Sequence, residues 1–202
     1  HQQARALVQA GALGAITSVR LQTVIDKSPD YWQRGLSGRS LNPWRASKAQ
    51  AGGGVVLMNT SHGLDALRYI TGLEVLSIAG QIDTWVPGVE VEDTAAATLR
   101  FDNGAIGSLF AGAHLAGGGE EACDLYGTHG QLRLPDAYGH DPLRLYLRQA
   151  WGAYTAGAWH SLPQRPVNCY ALAVDDFARA VQRGESAPTS GRDARAVLKT
   201  VL

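Results

Sequence analysis

At 202 residues the chain can form one large domain or two small ones, and its 45% hydrophobic and 18% charged content lets it bury a real core. Lysine plus arginine equals aspartate plus glutamate at 18 each, and the basic residues, nearly all arginine, are scattered, so charge favours neither nucleic acid nor an anionic membrane. No apolar run nears the roughly 20 residues that span a bilayer. Two cysteines, Cys123 and Cys169, without a CxxC spacing, point to a reducing, cytoplasmic setting with no structural disulfide.

Residues 2–10 read as a helix closed by Gly11, and Gly14 opens a strand over 16–25, where β-branched residues alternate with polar ones. Periodicity is then lost over 27–51, where Tyr31, Trp32, Pro43 and Trp44 accumulate. A long loop with aromatic residues ahead of a glycine-rich helix start reads as functional rather than as a linker. The helix over 54–71 follows Gly52-Gly53-Gly54 and stops at Gly72, suited to a C-terminal cap.

A strand over 75–86 and a turn at Pro87-Gly88 come next. Alternating runs at 93–101 and 105–113 flank Asp102-Asn103-Gly104, and Asn-Gly in that setting is a strong hairpin signal. A further pair, 121–126 and 131–134, surrounds Gly127 to Gly130, and 143–148 is one more short strand. Residues 149–167 read as irregular. The segment 168–183 is a clear helix with Tyr170, Val174, Phe177 and Val181 at helical spacing, and Ser190 with Asp193 marks the capped start of a last helix. Both chain ends fall inside helical patterns, as expected of a piece of a longer polypeptide. This order predicts an α+β fold, a largely antiparallel sheet covered on one face by helices. The other face is expected to be rich in Ala, Thr and Leu and to be covered by a second subunit or domain.

At about 100° per residue, the glycine-led helix places Val56, Leu57, Leu64, Leu67 and Ile70 on one face and Asn59, His62, Asp65 and Tyr69 on the other. His62 is the best candidate for chemistry, because a neutral imidazole can accept a hydroxyl proton near pH 7. Asp65 and Asn59 lie three residues either side of it. The blander reading is a solvated helix with a surface histidine. Trp44-Arg45 offers a stacking plane and a planar fork of donors, or simply packing beside a surface charge. Glu90, Glu92 and Asp93 read as a solvated turn before a strand, and Cys123 as a small buried hydrophobe. The histidines at 1, 62, 114, 129, 140 and 160 have no metal-like spacing, so no metal site is expected. There is no G-x-G-x-x-G after a strand, no Walker A and no G-x-S-x-G.

Taken in order, several of these pieces resemble the carboxy-terminal domain of the Gfo/Idh/MocA oxidoreductases. They are 10–14 before the first strand, Trp44-Arg45, 52–65, 91–94 leading to 99–106, 126–130, 175–180 and 190–194. The resemblance spans essentially the whole chain, 1–202, as a single domain. It implies an open-faced mixed sheet of the glyceraldehyde-3-phosphate-dehydrogenase-like C-terminal type, supplying a substrate pocket and a homo-oligomer interface through the open face. It further implies a Rossmann domain elsewhere in the polypeptide, absent from this chain, that binds NAD or NADP and carries a catalytic Glu-Lys-Pro lysine. The chain alone is thus expected to be inactive. His62 matches the histidine that reaches the reacting carbon, with Asn59 and Asp65 supporting substrate, and Trp44 and Arg45 match the pair that approaches the cofactor. The implied reaction moves hydride to or from a secondary alcohol of a sugar, cyclitol or cyclic diol, with loops 27–51 and 135–167 setting substrate choice. One departure stands out: many relatives place Asp four residues before the histidine, where this chain has Met58. That change motivates a second reading, a non-catalytic sensor that keeps the fold; a third is a dimerisation scaffold.

Overall fold

The computed structural model describes residues 1–135, 141–163 and 168–202. Eight strands form one sheet in the order β2-β3-β4-β1-β5-β6-β7-β8. They are β1 (Ile16–Val24), β2 (Val75–Asp83), β3 (Thr94–Phe101), β4 (Ile106–Gly112), β5 (Glu120–Gly127), β6 (Gly130–Arg133), β7 (Leu143–Leu147) and β8 (Trp159–Leu162). Among the described residues only β1 and β4 run parallel, and the other pairings are antiparallel. The Asn103-Gly104 hairpin forms as its sequence predicts, with Gly104 at φ +87° and Phe101 N–H donating to the Ala105 carbonyl. Along β1, Ile16 and Val19 are both buried although three residues apart. A register shift against β5 between Ile16 and Ser18 supplies the extra residue that returns both to one face.

Three helices cover that face: α1 (Gln2–Gln9) through Ala4 and Leu7, α4 (Ser61–Thr71) through Leu64, Leu67 and Ile70, and α6 (Gly191–Val201) through Val197. Beneath them lie Val19, Leu21, Leu99, Phe101, Leu109, Leu125, Leu132 and Leu145. The expectation of a leucine-rich open face is therefore corrected. Alternation sends the leucines to the helix side, and the open face carries Thr98, Ser108, Ile106, Phe110 and a row of paired charges. In that row Arg20 meets the buried Asp124 at 2.9 Å, and the Arg133 and Arg144 guanidinium groups lie 4.7 and 4.9 Å from the Trp159 ring.

Two further expectations change. Residues 159–162 form β8, pairing with β7 from Tyr146–Trp159 to Leu143–Leu162, within a segment read as irregular. Four residues are too few for their alternation to stand out from a stretch bearing Pro163 and glycines. The helix α5 (Cys169–Arg183) forms, capped by the Asn168 side chain, but its apolar stripe lies uncovered: Tyr170 is 88% exposed and Val174 68%, and only Ala180 is buried. His140 and Pro166, and with them part of loop 135–167, lie outside the described residues.

The glycine run is fixed by one acidic residue. The Glu92 carboxylate accepts from Gly54 N–H at 2.8 Å and Val56 N–H at 3.1 Å, and its own carbonyl accepts from Val55 N–H at 2.9 Å. Three successive N–H groups that a helix start would leave unpaired thus find partners on a single residue, whose charge also suits the positive end of the helix. The approach is so close that a Cβ on Gly54 would sit 1.8 Å from the Glu92 carbonyl oxygen, while Gly52, at φ +79°, caps α3 (Lys48–Ala51). Asp93, fully buried, accepts from Trp85 and Val86 N–H at 2.8 and 2.7 Å and from Thr94 Oγ1, with His114 Nδ1 3.2 Å away. Glu90 accepts from Lys48 N–H at 2.9 Å. The reading of 90–93 as a solvated turn is corrected: these acids staple the loops around the glycine-led helix, because their partners are backbone N–H groups.

At the far end of α4, Arg68 joins helices and sheet, with Nε 2.9 Å from Glu74 and Nη1 3.3 Å from the Asp193 carbonyl. Asp193 in turn completes a capping box with Ser190.

Replacing Glu92 by Ala is expected to cost about 2–3 kcal/mol in urea unfolding, because the buried Gly54 and Val56 N–H groups lose their charged acceptor. A loss below about 0.5 kcal/mol would remove Glu92 from this role. Bonding by Arg68 holds the Glu74 carboxyl below its ordinary 4.5, and bonding by Ser190 holds Asp193 below 3.8. Their contribution is complete above pH 4.5 and is lost as pH falls through the depressed folded-state values. Arg68→Met should flatten the acid limb of a stability–pH profile; an unchanged limb would contradict the linkage.

Candidate active site

The glycine-led element is not one continuous α-helix. Val56–Thr60 forms a π-helical turn, and the α-helix proper begins at Ser61. Both ends of that turn are pinned, Gly54 to Val56 by Glu92 and the buried Thr60 by its hydroxyl, 3.3 Å from that of Thr23 on β1. The wider turn accommodates one extra residue between the two anchors and rotates Met58 and Asn59 relative to the α-helical residues that follow. Leu57, expected on the apolar face, is consequently only half-buried and lies over Gly53.

Asn59 turns toward the loop. Its Oδ1 accepts from Lys27 Nζ at 2.6 Å. Lys27 lies 4.1 Å from the Tyr31 ring centroid, and the Tyr31 hydroxyl reaches Met58 Sδ at 4.0 Å. The Arg45 guanidinium lies 5.5 Å from the same tyrosine ring and 4.3 Å from the Trp44 ring. Segment 27–51 therefore has structure of its own: α2 (Pro29–Arg34), a 3-10 turn over Trp44–Ala46, and α3, anchored by Trp32, 1% exposed. Three of the sequence candidates, Asn59, Trp44 and Arg45, meet in this cluster through Lys27 and Tyr31. Burial, with Arg45 nearby, draws the Lys27 ammonium below the ordinary lysine value, partly offset by Tyr31.

His62 and Asp65 lie elsewhere on the helix. With Tyr69 they border a broad groove of about 1170 Å³ shared with Arg5 of α1 and with Ala173 and Phe177 of α5. His62 is exposed and Asp65 half-buried, and Arg5 lies 4.5 Å over the Tyr69 ring. His62 and Asp65 thus sit on the groove side, while Asn59 is held on the loop side by Lys27. An exposed imidazole on a fixed helix can exchange protons with a ligand in the groove, and an asparagine whose Oδ1 accepts from a lysine keeps its Nδ2 donors for a ligand.

Sequence reading missed Lys27, and it placed Tyr31 in a functional loop and Glu92 in a turn without their partners. Lys27 is one of three lysines in an arginine-dominated chain, a signal available in composition alone. Of the remaining candidates, Cys123 behaves as a small hydrophobe, its thiol pushed up to about 12 by burial. Among the described residues no group of three or more His, Cys, Asp or Glu is placed to hold a metal ion, and no helix is long and apolar enough to cross a membrane.

Comparison with known proteins agrees with this architecture. The family model described as GFO/IDH/MocA C-terminal domain matches residues 1–133. The chain is 27% identical over 197 residues to the 1,5-anhydro-D-fructose reductase of Ensifer adhaerens, covering 96% of this chain and 54% of that protein. It is 27% identical over 153 residues to the levoglucosan dehydrogenase of Pseudarthrobacter phenanthrenivorans, covering 64% and 37%. Among solved structures, levoglucosan dehydrogenase in complex with NADH superposes with a TM-score of 0.77 at 25% identity, covering 97% of this chain and 57% of that one. An oxidoreductase domain protein from Kribbella flavida gives 0.77 at 24%, covering 97% and 56%, a likeness of fold. The chain spans about half the length, or less, of the curated relatives it matches. With its family model matched from the first residue through β6 and the same open sheet, the chain belongs to the GFO/IDH/MocA family as a C-terminal domain.

Proposed function

We propose that this chain is the substrate-binding and oligomerisation half of an NAD(P)-dependent oxidoreductase acting on a secondary alcohol of a sugar, cyclitol or cyclic diol. One observation carries the reading: a helix fastened at its glycine start by Glu92 presents an exposed His62 beside Asp65 on one side and a locked Asn59 on the other. A scaffold would need no such pinning of a polar stripe. The relatives' activities toward anhydrosugars support the substrate class.

In this reading His62 accepts the proton of the reacting hydroxyl, with Asp65 one turn further along the same groove. Asn59 donates through Nδ2 to a neighbouring oxygen and so orients the ring. Met58 can neither share a proton nor orient an imidazole, so the His62 proton passes toward the groove rather than back along the helix. The residues present also fit a dinucleotide: the Trp44 indole is 37% exposed, and the Arg45 guanidinium over it keeps its donors for an anionic or carbonyl group. When bound, the nicotinamide supplies or accepts the hydride. The remaining half of the polypeptide would cover the apolar stripe of α5, and a second copy would cover Ile106 and Phe110 on the open sheet face.

In the full-length enzyme, His62→Ala should lower kcat by about 10²–10⁴ while leaving dinucleotide affinity in place. Steady-state turnover with the best sugar substrate reads this out, and an unchanged kcat would overturn the assignment.

A further inference from the structure

The loop beside the glycine-led helix holds more positive charge than it balances. Lys27, Arg34, Arg39 and Arg45 all belong to it, and among the described residues none of them meets a carboxylate within ion-pair distance. Arg34, Arg39 and Arg45 border an open cavity of about 620 Å³ together with Trp44, Ser37 and Ser40. Arg45 connects that cavity to Lys27, since both cations lie against the Tyr31 ring. Lys27 is half-buried, with burial and Arg45 both opposing its charge. A desolvated ammonium beside a guanidinium is stabilised by an anion, and the oxygens that Lys27 meets, the Asn59 amide and the Tyr31 hydroxyl, carry no charge.

The hydrogen-bond inventory points the same way. Lys27 can only donate, so Asn59 Oδ1 must face it, which turns the Asn59 Nδ2 donors outward. The indole N–H of the buried Trp32, whose ring lies 5.7 Å from Lys27 Nζ, has no acceptor among the described residues. Lysine, asparagine amide and arginine therefore present donors without matching acceptors, on the loop side of the helix that carries His62.

Building on the reading above, we infer that Lys27, with Asn59 Nδ2, binds a carboxylate or phosphate carried by the substrate, so that the enzyme acts on sugar acids or sugar phosphates in preference to neutral sugars. The ion pair balances the buried charge of Lys27.

The test uses the full-length enzyme with matched ligands: an aldose, the uronate of the same configuration and the corresponding 6-phosphate. The charged partner should have a kcat/KM about 10- to 100-fold above that of the neutral sugar, the range of a charge-assisted hydrogen bond. Lys27→Met should collapse that ratio toward one, mainly through KM, and Lys27→Arg should restore part of it; the preferred charged ligand tells carboxylate from phosphate. Equal kcat/KM for charged and neutral sugars overturns the inference. So does a Lys27→Met loss shared equally by both, which marks a structural lysine, or a loss confined to the KM for dinucleotide, which assigns the anion to the cofactor. Absence of turnover with every ligand counts against the dehydrogenase reading itself. Calorimetric binding then still decides the anion site: uronate or phosphate bound by the parent protein and lost in folded Lys27→Met supports it, and no saturable binding overturns it.

Discussion

The start of the helix that carries this site is set by Glu92 holding the backbone of Gly54, Val55 and Val56. A helix start carries unpaired N–H groups that must find partners, and here one side chain and its own carbonyl satisfy three in succession. The contact requires a residue without Cβ at position 54, so the glycine and the glutamate act as one device although 38 residues apart in sequence. It joins the loop ahead of β3 to the helix that carries Asn59 and His62. Asp93, next in the chain, holds the turn after β2 by the same means, so two adjacent acids fix both sides of the approach to β3.

The helix so fixed divides its polar residues between two environments. On the groove side, an exposed histidine and a half-buried aspartate face α1 and α5, whose own apolar stripe is uncovered. On the loop side, Asn59 is locked by a lysine that stands among aromatic rings and arginines. The π-helical turn is the hinge of this division, letting positions 58 and 59 turn away from the line set by the α-helical residues.

Much of this was legible in the residues. The Asn-Gly hairpin, the Ser190–Asp193 capping box, the glycine-led helix with its apolar back, and the largely antiparallel sheet follow from local rules that tertiary contacts did not override. What escaped has a common cause. Glu90, Glu92 and Asp93 look solvated because acidic residues near a turn usually are, and their partners are N–H groups that leave no mark on a sequence. Lys27 lies where periodicity vanishes, so nothing local links it to Asn59 thirty-two residues later. The stripe on α5 was visible as a pattern, but helical spacing identifies an apolar face without identifying what covers it. β8 was too short to read.

The helix that carries Asn59 and His62 is held from its glycine start by Glu92 in the chain as it stands. Native-state amide hydrogen exchange at Gly54, Val55 and Val56 tests it most directly. Protection close to that of the core strands β1 and β4 is the predicted result. Exchange at the rates of a frayed helix end would show that the glycine run is unfastened and contradict the account.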